Sequence, residues 1–76
     1  MSALSEKALA VSVEYLGPAA KVFLERQTKW HMNGLAFDAL EQKHLAEFAK
    51  WVGISAALVV DAAKAKELSE KIGAIK

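Results

Sequence analysis

Leu4, Ala8, Val11 and Tyr15 recur at intervals of four, three and four residues, and Leu9, Val13 and Leu16 widen that line into a broad apolar stripe. This is the spacing of one face of an α-helix. Gly17-Pro18 then stops the pattern, and Pro18 suits the first position of a new helix, where its missing N–H is not needed. The second helix is expected to bury Ala19, Ala20, Phe23, Leu24 and Trp30 and to end at Asn33-Gly34, two residues that tolerate a left-handed backbone. Asp38, with Glu41 three residues on, reads as the capping pair of a third helix that buries Leu40, Leu45, Phe48, Ala49 and Val52. Gly53 breaks that helix, and Ser55 is placed to cap the next one. That segment is read as a short helix to Val60 with a restart capped by Asp61, the alternative being one helix to Ile72. Leu68, Ile72 and Ile75 continue the apolar line, and Gly73 marks fraying. A short strand over residues 57–60 would have no partner. The fold expected is all-α, a compact bundle of four to five helices in a single domain spanning residues 1–76.

Within it, residues 45–64 have the register of a helix-turn-helix. Ala49 lies four before Gly53, Ile54 follows, and Val59 comes six after the glycine. A small residue lets two helices cross closely, a glycine turns the chain, and an apolar anchor pins the second helix.

Seventy-six residues without cysteine must be held by packing alone, and leave little room for an enzyme with its own deep pocket. Alanine supplies fifteen of the apolar residues, which favours closely packed helices. Ten Lys and Arg against nine Asp and Glu give a net charge of +1, so charge does not demand a nucleic-acid partner. Neither half of the chain is a basic arm. The opening residues lack the apolar core and cleavage site of a secretory signal, and no stretch approaches the roughly 20 apolar residues that span a bilayer. A cytoplasmic protein without a membrane partner is expected.

Duplex DNA could be read by the second helix of the crossing, with Ser55, Lys64 and Lys66 as its contacts. Ala56, Ala57 and Val60 would offer bases no hydrogen bond, and Asp61 would repel phosphate. If instead Leu58, Val59 and Ala62 form the buried set, Ala56 and Val60 emerge together as an apolar contact surface. Trp30, beside Met32 at a helix end, extends that surface, because aromatic residues favour interface centres. Trp51 reads more simply as core. Glu41, His44 and Glu47 share a helical face and match half of a carboxylate–histidine metal site, but no second half exists and no metal is expected. The serines lack a nucleophile-elbow setting and the glycines form no phosphate-cradling loop, so neither catalysis nor a cofactor is expected.

Tyr15-Leu16-Gly17-Pro18-Ala19-Ala20-Lys21-Val22, ahead of Phe23-Leu24, resembles the Tyr-Ile-Gly-Pro-Ile-Ala core of small helical modules appended to bacterial signalling proteins, including serine/threonine kinases. The likeness covers about the first thirty residues, and from Phe37 onward the chain departs from it. It implies a regulatory, partner-binding context and no chemistry. The function expected is a non-catalytic protein–protein interaction or regulatory module that meets another protein or a second copy of itself through Trp30, Met32, Ala56 and Val60. The alternative is a DNA-binding helix-turn-helix.

Overall fold

The computed structural model describes residues 2–76, and its regular structure is entirely helical. Helix α1 spans Ala3–Leu16 and is capped by Ser2, whose Oγ accepts the Ser5 N–H at 3.1 Å and also reaches the Leu40 carbonyl at 3.0 Å. Gly17 ends it with φ +61°, a left-handed backbone open to glycine. Pro18 sits in a single 3₁₀ turn, Gly17–Ala19, and α2 follows as Ala20–His31. The corner is thus one turn longer than a proline at the first position of α2 would make it. Asn33 and Gly34, with φ of +56° and +74°, close α2 as the sequence implies.

Residues 37–44 depart from expectation. Asp38 caps no helix: it lies inside a 3₁₀ turn, Phe37–Ala39, and Leu40 is extended. A second 3₁₀ turn, Gln42–His44, leads into α3, Leu45–Ala56. Glu41 stands before it, its N–H donating to His44 Nδ1 at 3.0 Å while the His44 N–H donates to the Glu41 carbonyl at 2.9 Å. Phe37 and Leu40 are both buried in this stretch.

Gly53 is the larger correction. It lies within α3, which runs on to Ala56, so neither the turn at Gly53 nor the cap at Ser55 exists. The corner falls at residues 57–61. There Asp61, as expected, caps α4 (Ala62–Gly73) by accepting the Lys64 N–H at 2.8 Å. Gly53 has a packing role instead: a methyl group there would come within 3.0 Å of Ser69 Cβ and Oγ. Ala49 and Gly53 on α3, and Ser69 and Gly73 on α4, each stand four apart and so share a face. These small residues bring the two helices together in the most extensive contact of the fold, and the Ser69 hydroxyl donates to the Ala49 carbonyl at 2.8 Å.

The core gathers Leu24, Leu40, Leu45, Phe48, Val52, Leu68 and Ile72, all buried. Helix α1 presents its smallest residues to that core. Ser5, Ala8 and Ser12 are fully buried, while Leu4, Val11 and Tyr15 pack in from its flanks. The radius of gyration is 10.7 Å, against about 11 Å for a tightly packed domain of this length. Among the described residues no helix is long and apolar enough to cross a membrane.

Candidate functional site: the seam between α2 and α3

Two side-chain pairs join α2 to α3. The Ser55 hydroxyl donates to Gln27 Oε1 at 2.8 Å, and the rings of His31 and Trp51 stack at 4.3 Å with 9° between their planes. Gln27 and His31 are one turn apart on α2, and Ser55 and Trp51 one turn apart in the reverse order on α3, so the helices run antiparallel here. Residues three or four positions from these anchors line the seam between them. On α2 these are Phe23 and Trp30, with Arg26 beside them. On α3 they are Ile54 and, one turn beyond, Leu58 at the start of the corner.

The seam is conspicuously apolar for a surface. Trp30 is 66% exposed, Ile54 52% and Leu58 89%, with Val59 next to it at 66%. Phe23 and Trp51 are partly covered. Cations flank the aromatic rings: the Arg26 guanidinium lies 5.6 Å from the Trp30 ring centre and Lys50 Nζ 5.2 Å from that of Trp51. A shallow groove of about 230 Å³ opens among Val22, Glu25, Arg26, Lys29 and Trp30.

The surface expected from the sequence is therefore only partly assembled. Trp30 is exposed, but Met32 and Ala56 are buried and Val60 is half-buried, so these four form no common face. The inside and outside of residues 56–62 are reversed relative to expectation. Leu58, Val59 and Ala62 point to solvent, while Ala56 is in the core, because α3 ends after Ala56 and the chain leaves the helical path. The exposure of Ile54 and Leu58 has the same origin: Ile54 is on the outer side of α3 once the helix is extended past Gly53, and Leu58 lies beyond the end of that helix, in the corner.

The DNA-contact trio is likewise divided. Ser55 is within α3 and bonded to Gln27, whereas Lys64 and Lys66 are exposed on α4. Lys64 contributes to the field that holds Glu67 low, so part of its charge is already met by a carboxylate.

Between α1 and α4 lies a second groove of about 310 Å³ lined by Glu14, Tyr15, Val60, Asp61, Lys64 and Glu67. The Tyr15 hydroxyl donates to Glu67 Oε1 at 2.6 Å, and Lys71 stands 3.6 Å from the same oxygen and 5.1 Å from the Tyr15 ring. That hydrogen bond, ahead of the lysine charges, holds the Glu67 carboxyl below its ordinary pKa. These groups satisfy one another and tie α1 to α4. A third, more apolar groove of about 360 Å³ lies between Glu25 and Lys29 of α2 and residues 34–38. Among the described residues no three of His, Asp and Glu gather as metal ligands, and the Nδ1 of His44 is taken up by the Glu41 N–H.

The chain matches no protein-family model, and neither a curated protein nor a solved structure aligns with it significantly.

Proposed function

We propose that the chain is a non-catalytic interaction module that works by helix docking, with the α2–α3 seam as its contact surface. The supporting observation is the exposure of Trp30, Ile54 and Leu58 along one seam of a chain whose other large apolar side chains are mostly covered. Apolar side chains left together in water mark a surface that another molecule covers. The flanking guanidinium and ammonium groups add direction to such a contact without contributing to the core. The likeness around Tyr15 to Ala20 agrees with a regulatory setting, since those residues build the α1–α2 corner and present no reactive group.

The test is a photo-crosslinking residue introduced at Leu58, compared with the same residue at Ala63, which is exposed on α4. Crosslinks to another protein, or to a second copy of the chain, are expected from position 58 in excess of position 63. Equal yields from the two positions would remove the docking reading. Light scattering from micromolar to millimolar concentration, with amide shifts at Trp30, Ile54 and Leu58, separates self-association from docking to another protein.

One observation favours duplex DNA as a second reading: Lys64 and Lys66 are exposed in the first half of α4, the second helix of the 45–64 crossing. Asp61 and Glu67 lie among them and oppose phosphate. Salt-dependent binding that is lost in Lys64→Glu/Lys66→Glu would support that reading. No binding at about 50 mM salt would end it.

A further inference from the structure

We infer that the occupant of the α2–α3 seam is an acidic amphipathic helix contributed by a different polypeptide. The inference rests on the docking reading above and adds the chemistry of the partner.

Charge supplies the first argument. Arg26 and Lys29 stand beside Trp30, and Lys50 stands beside Trp51, with Glu25 and Glu47 as the acids of the same stretch. Among the described residues the ion pairs are Lys43–Glu41 and Lys71–Glu67, so Arg26, Lys29 and Lys50 carry no carboxylate partner within 4 Å. Arg26 is held against Trp30 with its N–H edges free to meet a planar carboxylate two-pronged. A helix whose apolar stripe lies on Trp30, Ile54 and Leu58, and whose flanks carry Glu or Asp, would meet the unpaired cations as it covers the apolar groups.

A second copy of the chain does not supply that helix. Helix α1 has acids on its outer face, Glu6 and Glu14, but Val13 is its only large exposed apolar side chain. The outward side of α4 carries Lys66, Glu67, Glu70 and Lys71 with no large apolar residue. Two seams facing each other would bring the excess cations of both copies together. Phosphate-bearing partners fit less well, because the seam's centre is apolar side chains and the cations sit at its margins.

The probe is a synthetic amphipathic helix of roughly 15 to 20 residues, long enough to hold some helix in water, with leucines along one stripe and glutamates beside them. Its control replaces every glutamate with lysine. The acidic peptide is expected to shift the Trp30 and Trp51 indole and the Ile54 and Leu58 resonances, and to bind about tenfold more tightly than the basic peptide at about 50 mM salt. That preference should be lost in Arg26→Gln/Lys50→Gln and reversed in Arg26→Glu/Lys50→Glu, exposed positions whose substitution leaves thermal unfolding in place. Equal binding of the two peptides at the seam would overturn the acidic partner while leaving the docking reading intact. If neither peptide binds and the crosslinks at positions 58 and 63 are equal, both fail. Shifts confined to residues 34–38, or tighter binding to phosphatidylglycerol vesicles or to a single-stranded oligonucleotide than to the acidic peptide, would also overturn it.

Discussion

Ser12 and Tyr15, both on α1, are opposite cases of how a polar side chain is satisfied. Ser12 is fully buried in α1 and its hydroxyl has no partner. A buried, unpaired polar group costs about 1–3 kcal/mol, and alanine is the better helix former. Ser12→Ala should therefore raise stability by about 1 kcal/mol, read as a higher urea midpoint with unchanged slope; a loss would mean that the hydroxyl is bonded after all. Tyr15 is the opposite case, since its hydroxyl is taken up by Glu67 and holds that carboxyl below its ordinary pKa. A group whose pKa is depressed on folding stabilises the fold above its unfolded pKa, and that share is lost as pH falls through the folded value. Tyr15→Phe should be slightly less stable than the parent at about pH 7, with the gap closing toward about pH 3. Urea titrations at both pH values check this, and a gap that stays constant would assign the loss to packing alone.

At the scale of elements, the pairing of α3 with α4 decides the fold, and it depends on side chains that are nearly absent. Gly53→Ala would gain up to about 1 kcal/mol of helix propensity. It would also force a methyl to 3.0 Å from Ser69, whose hydroxyl is fixed by the Ala49 carbonyl. Overpacking of this kind costs about 1–3 kcal/mol, so a net loss of about 1 kcal/mol is expected. Gly73→Ala is the counter-case, because its methyl would stand at an ordinary 3.7 Å from Ala49 Cβ and propensity should make it neutral or stabilising. Thermal unfolding of the two variants side by side tests the assignment; if Gly53→Ala were the more stable of the two, the close approach of α3 and α4 would be wrong. The same glycine explains where sequence reasoning went astray. Read along the chain it is a helix breaker, and only the helix packed against it shows that it is a point of closest approach. Asp38 misled similarly, since its spacing to Glu41 suits a cap, while the chain makes two separate 3₁₀ turns there with Leu40 and Glu41 extended between them.

Over the whole molecule, the positions legible from the sequence are those where apolar periodicity and burial coincide: Leu24, Leu45, Phe48, Val52, Leu68 and Ile72, with the cap at Asp61. The seam was legible at Trp30 alone. Leu58 and Val59 have the character of core residues, and nothing local says that the helix has ended two residues earlier. That conflict is itself informative, because a chain held only by packing gains nothing in stability from Leu58 at 89% exposure. Leu58→Ser and Ile54→Ser should accordingly leave unfolding within about 0.5 kcal/mol of the parent. Leu68→Ala, in the core, should lose about 2–5 kcal/mol. Crosslinking from a photo-reactive residue at the neighbouring exposed Val59 should show the reverse order, abolished by the two serine variants and kept by Leu68→Ala at a temperature where it is still folded. Should Leu58→Ser destabilise the fold as much as a core truncation, the corner would be part of the core in solution and the seam would lose its claim as a docking surface.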